Sequence, residues 1–314
     1  MKAYTLRVSV LEHCQLRCGY CLPDAHPSFL NKKRWLSLSH YEKITRVLQA
    51  FSWAKIRFTG GEPLLRPDLA SIVALFSHAF PKIPLALTTN GLGFDKHLGQ
   101  NLKNSGLGAI TFHLDTLVQE RYEKIMGRGH VIKVLDALKR AQDLGLQTKI
   151  NTVVQKNLNC DELADFLYLS KKLAIEVRFI EIMNTGSASS FVAKNFISGQ
   201  DILALLAKNF TISSQARSHE SDPAELFSIE DLGISFGLIA SDTRPFCSQC
   251  TRLRLSADGR LHTCLYDDEG AQLNLEDDEE DILVCVKAKI ARKISLHPLV
   301  QMPRRIFSMS QTGG

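Results

Sequence analysis

No stretch of the 314 residues approaches the run of roughly 20 apolar residues that a membrane-spanning helix requires. The opening residues, Met1-Lys2-Ala3-Tyr4-Thr5-Leu6-Arg7-Val8-Ser9-Val10, also lack the apolar centre of a secretory signal and pass directly into strand-like sequence. A cytoplasmic protein without a membrane partner is therefore expected. Internal repeats and low-complexity segments are absent. So is any bunching of basic residues: the net charge is +5, with lysine and arginine dispersed rather than gathered into a nucleic-acid-binding stripe. That charge suits a small anionic substrate and gives no reason to expect nucleic acid as a partner.

Hydrophobic residues make up 45% of the chain and charged residues 23%, ordinary values for a globular enzyme. The length suits one large unit and a smaller one, placed at residues 1–186 and 187–314. In the first, short apolar or β-branched runs (Leu6 to Val10, Ile56 to Thr59, Leu85 to Thr88, Ala109 to Leu114, Thr148 to Val154, Glu176 to Ile182) alternate with helical periodicity. The helical segments include Tyr41 to Phe51, Leu69 to Ala79, Val131 to Leu144 and Asp161 to Leu173. This alternation predicts parallel β/α construction, an α/β fold in the form of an open, partial (β/α) barrel. Cys14, Gly60-Gly61-Glu62-Pro63, Thr88-Thr89-Asn90-Gly91, His113, Asp115, Lys149, Asn151 and Met183 all fall at strand ends. Ligands of parallel sheets bind at carboxyl ends, so one shared mouth is expected.

Beyond residue 186 the spacing predicts a helix over Asp201 to Asn209 and strands near Phe227 to Ile229 and Ile234 to Ile239. The acidic run Glu276 to Asp281, followed by Ile282 to Lys293, reads as a helix whose charges match its dipole.

Six of the eight cysteines fall into two triplets, whereas Cys160 and Cys285 read as small packed side chains. Without export signals, clustered cysteines point to metal or redox chemistry. Cys14, Cys18 and Cys21 form C-x3-C-x2-C after the first strand, with no fourth Cys or His at a spacing that suits structural zinc. Three thiolates on a cluster of four irons would leave one iron open. Cys247, Cys250 and Cys264 form the second triplet, around a turn at Ala257-Asp258-Gly259-Arg260. Taken alone, this triplet admits a zinc hairpin with His262 as fourth ligand, although His262 sits awkwardly close to Cys264.

The first triplet with Tyr20 before its last cysteine, and the Thr59-Gly60-Gly61-Glu62-Pro63 turn, resemble the radical S-adenosylmethionine (SAM) superfamily. Further marks resemble its GTP 3′,8-cyclase family in molybdenum cofactor biosynthesis: Thr88-Thr89-Asn90-Gly91, Lys149-Ile150-Asn151, Arg178-Phe179-Ile180-Glu181-Ile182-Met183, Arg252-Leu253-Arg254 within the second triplet, and the terminal Gly313-Gly314. The resemblance implies two 4Fe-4S clusters. Cys14, Cys18 and Cys21 would hold the one that binds SAM, and a C-terminal extension with Cys247, Cys250 and Cys264 the one that binds the base of GTP. It also implies SAM contacts from Tyr20, Gly61, His113 and Met183. Arg7, Arg57, Thr88, Lys149, Arg252, Leu253 and Arg254 would surround GTP, with Arg252, Arg254, Gly313 and Gly314 needed for catalysis. A 5′-deoxyadenosyl radical would remove the ribose C3′ hydrogen, and C3′ would then bond to guanine C8. An external electron donor and a downstream cyclic pyranopterin monophosphate synthase would be partners, and a homodimer is compatible.

Three positions depart from the family pattern: His113 where the family usually has Ser, Asp222 where it commonly has Gly, and Thr312 where an aliphatic residue is usual. A radical SAM paralogue acting on a peptide or another small molecule is the first alternative. A zinc-stabilised binding module without enzymatic activity is the second.

Overall fold

The computed structural model describes residues 3–22, 27–184, 188–217, 221–267 and 270–295. Gly313 and Gly314, Thr312, and the expected boundary at residue 186 lie outside the described residues.

The first six strands are β1 (Tyr4–Ser9), β2 (Trp53–Thr59), β3 (Leu85–Thr89), β4 (Ala109–His113), β5 (Gln147–Val154) and β6 (Glu176–Glu181). Between them run α1 (Leu38–Leu48), α2 (Leu69–Ala79), α3 (Lys96–Asn104), α4 (Gln119–Met126), α5 (Val131–Asp143) and α6 (Leu163–Leu173). Then come α7 (Ser189–Asn195), α8 (Gly199–Leu206), β7 (Ile212–Gln215), β8 (Glu225–Ile229), β9 (Ile234–Ile239), β10 (Arg252–Leu255), β11 (Arg260–His262), β12 (Ala271–Gln272) and α9 (Glu279–Ser295).

All described strands join one sheet in the order β12-β11-β10-β1-β2-β3-β4-β5-β6-β9-β8-β7. Strands β1 to β6 are parallel, and β10 and β9 extend them in parallel at the two sides. Antiparallel pairs finish both edges: β11 and β12 on one side, β8 and β7 on the other. The sheet is an open parallel arc, as expected. Sequence after residue 187 supplies both of its flanks.

Strand alternation sorts the side chains. On β1, Leu6 and Val8 are fully buried, as are Ile56 and Phe58 on β2 and Val177 and Phe179 on β6, all within the same apolar core. Each such side chain contributes about 1.5–3 kcal/mol through burial. Their alternate neighbours turn to the other face of the sheet.

Helix starts follow capping chemistry more closely than apolar periodicity. Helix α1 begins three residues before the expected Tyr41 because the Ser37 hydroxyl accepts from the His40 amide and the His40 ring returns a bond to the Ser37 amide. Likewise α8 begins at Gly199, ahead of Asp201, because the Ser198 hydroxyl accepts from the Asp201 amide.

Candidate active site

A cavity of about 510 Å³ opens on the inner face of the arc. Polar and charged residues enter it from β1 to β6 and β10, among them Arg7 from β1, Lys55 and Arg57 from β2, and Thr88 from β3. Thr111 and His113 come from β4, Lys149 and Asn151 from β5, Glu176 and Arg178 from β6, and Arg252 and Arg254 from β10. In-register parallel pairing makes this a continuous surface: Arg7 lies opposite both Arg57 and Arg254, Thr88 opposite Thr111, and Thr111 opposite Lys149.

At one end lie Cys14, Cys18 and Cys21, all on the cavity wall. The loop that carries them is pinned by the Gly60-Gly61 turn, with the Gly61 amide donating to the Leu11 carbonyl at 2.8 Å and the Glu62 amide to the His13 carbonyl at 2.9 Å. A Cβ on Gly61 would stand 2.2 Å from the Glu12 carbonyl oxygen. The turn therefore needs glycine because the chain leading into Cys14 comes so close. Glu62 stabilises the same corner, accepting from the Thr89 hydroxyl at 2.6 Å and the amides of Asn90 and Leu64 at 2.7 and 2.9 Å. Its burial raises its pKa to about 7 against those donors.

Burial and the neighbouring Glu62 carboxylate push the Cys14 thiol up to about 11, while burial and repulsion from Cys21, Asp115 and Cys14 push Cys18 well above its ordinary value. Three thiols so placed ionise together only against a strongly cationic partner, and binding one must release protons. Among the described residues, no three Cys, His, Asp or Glu side chains close on a point that would hold a single metal ion. The thiols feel one another's charge from separate positions, as the corners of a multi-iron cluster require. Amide donors are already present: Leu16 N lies 3.4 Å from the Cys14 sulfur. The residues fit an iron–sulfur cluster.

Beside this loop Tyr20, His113 and Asp115 form a closed trio. The Tyr20 hydroxyl donates to Asp115 Oδ2 at 2.7 Å and lies 2.6 Å from His113 Nε2, which in turn is 3.2 Å from Asp115 Oδ1. Asp115, fully buried, also accepts from the Val153 amide at 2.7 Å. Tyr20, Gly61, His113 and Met183 all line the cavity, on the wall shared with the first triplet. Burial lowers the pKa of His113, but the Asp115 carboxylate raises it by more, so the net shift is upward. A histidine whose folded-state pKa lies above its unfolded value contributes stability that is full below about pH 6.5 and is lost as pH rises through the raised value. The stability gap between the native chain and His113→Gln should accordingly narrow from pH 6 to pH 9 in urea unfolding. A constant gap would show that the ion pair is not formed.

The middle of the cavity is cationic. Burial, with repulsion from Arg254, Arg57 and Arg252, drives the Arg7 pKa well below its ordinary value. Burial plus neighbouring guanidinium groups brings Arg57 and Arg254 to about 10 each. Arg57 is aimed by the hydroxyls of Thr88 and Thr111, each 2.9 Å from its Nη1. Glu176 pairs with Lys149 at 2.6 Å and with Arg178, and those two cations hold its carboxyl below its usual value despite burial. Arg252 Nε and Asn151 Oδ1, both in residues on the cavity wall, are buried with no hydrogen-bond partner among the described residues. The Arg252 donor suits an anionic group and the Asn151 acceptor a hydrogen-bond donor of the same ligand.

Leu253 is placed differently from the expectation. It is fully buried in the core, because strand alternation turns it away from the face that carries Arg252 and Arg254. Only its backbone can meet a ligand. In the sequence Arg178 stands as a family mark without a site role, and Lys55 and Glu176 have none; the signal for them was the same period of two, since Lys55 precedes Arg57 and Glu176 precedes Arg178 by two positions.

The second triplet follows β9 and brackets the β10–β11 hairpin, with Cys247 exposed in a short turn of helix and Cys250 and Cys264 half-buried. The expected turn at residues 257–260 is present, with Gly259 at φ +85°. Burial and the charges of Cys264 and Cys250 raise the Cys247 pKa, which places the three thiols together. Cys247, Cys250 and Cys264 are not lining residues of the cavity, whereas Arg252 and Leu265, each next to or near one of them in the chain, are. The His262 ring contacts the Asp267 carbonyl through Nδ1 at 2.8 Å and packs against Gly270, and among the described residues no three Cys, His, Asp or Glu side chains converge as a single zinc ion would need.

Comparison with known proteins agrees with this construction. Residues 8–169 match the radical SAM superfamily, and residues 175–298 match the family described as Molybdenum Cofactor Synthesis C. The GTP 3′,8-cyclase of Aquifex aeolicus is 36% identical over 312 residues, covering 98% of this chain and 96% of that one. The Haemophilus influenzae GTP 3′,8-cyclase is 39% identical over 275 residues, 86% of this chain and 80% of its own. GTP 3′,8-cyclase 1 of Mycobacterium tuberculosis is 38% identical over 273 residues, 85% and 76% of the two chains. Among solved structures, Streptococcus suis SuiB bound to S-adenosylmethionine superposes with a TM-score of 0.69 at 14% identity, covering 95% of this chain and 69% of that one. That likeness concerns the fold alone. A cationic cavity with Cys14, Cys18 and Cys21 on its wall, in an open β/α arc matched along nearly the whole chain by curated cyclases, makes this protein a member of the radical SAM GTP 3′,8-cyclase family of molybdenum cofactor synthesis.

Proposed function

We propose that the cavity binds GTP between two 4Fe-4S clusters and converts it to (8S)-3′,8-cyclo-7,8-dihydroguanosine 5′-triphosphate. The observation that carries this reading is the gathering of Arg7, Arg57, Arg252 and Arg254 on one face, where burial and the neighbouring guanidinium charges, Arg252 among them, lower the pKa values of Arg7, Arg57 and Arg254. A triphosphate offers several negative charges to such a surface, and the guanidinium groups supply paired donors.

Cys14, Cys18 and Cys21 hold the cluster that binds SAM, with Tyr20, Gly61, His113 and Met183 beside it. When bound, cluster and SAM would supply the radical chemistry that activates ribose C3′. The chain's own contribution is placement. Arg57, steadied by Thr88 and Thr111, and Lys149, held by Glu176, fix the anionic end of the substrate. Arg252 and Arg254 bring the base toward Cys247, Cys250 and Cys264, aligning C8 with C3′. Residues 1–186 carry the thiols for the SAM-binding cluster and part of the substrate wall, and residues 187–314 add Arg252, Arg254 and the second cysteine triplet. An external reductant supplies electrons, and a cyclic pyranopterin monophosphate synthase consumes the product.

Anaerobic incubation with SAM, dithionite and GTP, followed by chromatography and mass analysis of nucleotides, tests the reading. The expected products are the cyclised nucleotide and 5′-deoxyadenosine. Deoxyadenosine accompanied by unchanged GTP would instead favour a relative acting on a peptide or another small molecule.

A further inference from the structure

Helix α9 packs against α1 and β11 through Ile282, Val286 and Ile290, spaced at four residues as one buried stripe. Further along, the buried surface includes Lys289 and Lys293, each 7% exposed. The two lysines are one helical turn apart and so share a face. Lysines this buried are rare unless an anion or a set of acceptors meets them.

Both meet the segment around the second cysteine triplet. The Lys293 ammonium donates to the Thr263 carbonyl at 2.7 Å and lies 3.8 Å from the Cys250 sulfur. Lys289 sits 3.5 Å from Asp267 Oδ2, and Asp267 accepts from the Thr263 amide at 2.8 Å and its hydroxyl at 3.0 Å. One ammonium with three donors thus spans two stretches of chain, touching one cysteine and the carbonyl just before another. Burial pulls the Lys293 pKa down, with the charges of Cys250 and Cys264 opposing that shift. Burial would raise the Cys250 thiol, but Arg252 and Lys293 outweigh it and the net shift is downward, whereas burial and the other two cysteines raise Cys247.

We infer that Lys293 is a positioning residue for the second cysteine triplet: it donates a hydrogen bond to the Cys250 thiolate and sets the charge balance of the cluster those cysteines hold. A cluster with three thiolates becomes more negative by one charge on reduction, and a fixed ammonium beside a ligand sulfur stabilises that reduced state. Lys293 therefore raises the reduction potential of the second cluster. Lys289 orders the neighbouring turn through Asp267 without touching sulfur.

This inference rests on the reading that the second triplet carries a cluster. The test uses the full chain with Cys14, Cys18 and Cys21 replaced by alanine, so that only the second cluster contributes. Its iron content, about four per chain if that reading holds, is measured first; absence of iron overturns the two-cluster reading, and this inference falls with it. Dithionite titration with redox mediators, followed by EPR, then compares the parent with Lys293→Met, Lys293→Arg and Lys289→Met. The expected result is retained iron in Lys293→Met and a midpoint shifted negative by at least a tenfold change in the reduction equilibrium, about 59 mV for one electron. Lys293→Arg should restore most of the shift, and Lys289→Met should move the midpoint less. Loss of iron from Lys293→Met with native far-UV circular dichroism, reversed in Lys293→Arg, also supports the role. An unchanged midpoint in Lys293→Met overturns it. Should Lys293→Met not fold, Lys293→Gln, which can still donate to Thr263, takes its place and must show the same negative shift.

Discussion

Replacing Cys18 with alanine is expected to abolish reductive cleavage of SAM, with 5′-deoxyadenosine falling to background in an anaerobic dithionite assay. The argument is geometric. Cys14, Cys18 and Cys21 are the thiols on the cavity wall at this end, and Cys18 is the most deeply buried of the three, with its sulfur 3.2 Å from that of Met126. Nothing nearby can replace it, because Tyr20, His113 and Asp115 are committed to one another. Losing one buried thiol should cost little in folding beyond a small cavity, so the variant should remain folded while its iron content falls. Deoxyadenosine at more than a small fraction of the native rate would mean that these cysteines do not hold the SAM-binding cluster.

Arg254→Ala carries the second large effect, and its two consequences have opposite signs. Removing a charged hydrogen-bond donor from an anion site costs on the order of 1.5–3 kcal/mol. That weakens GTP binding by roughly 10- to 150-fold, since about 1.4 kcal/mol is a factor of ten. The same guanidinium is buried and repelled by Arg252, which lowers its pKa to about 10. Deleting it relieves that repulsion, so the ligand-free protein should be at least as stable in urea. Isothermal titration with GTP alongside urea unfolding separates the two. Tight GTP binding by Arg254→Ala would remove Arg254 from the substrate site, whereas weak binding with a matching collapse of stability would make it structural.

The placement of Lys55, Glu176 and Arg178 shows how a strand turns one-dimensional spacing into a wall. Each shares a face with an expected site residue two positions away or across the register, as Lys55 does with Arg57 and Arg178 with Asn151. Leu253 is the converse: a place within the Arg252-Leu253-Arg254 motif did not bring its side chain to the cavity, because neighbours on a strand face opposite ways.

Some features were legible in the sequence because they depend on short-range patterns. The spacing of Cys14, Cys18 and Cys21, the glycines of the turn at 60–61, the apolar strand runs and the alternation of strand with helix all report on neighbours within a few residues. They were enough to specify an open parallel β/α fold and its chemistry. What only the tertiary structure decided depends on residues far apart in the chain. The return of β10 to pair with β1 sets Arg254 opposite Arg7, although 247 positions separate them in sequence (254 less 7). The packing of α9 turns Lys293 from an apparent dipole-matching charge into a buried neighbour of Cys250. The contact between the Gly61 turn and the chain before Cys14 gives that glycine a steric reason that spacing alone did not show. Local preference selects elements and their faces, but which faces meet depends on sheet order and core packing, and those are properties of the whole chain.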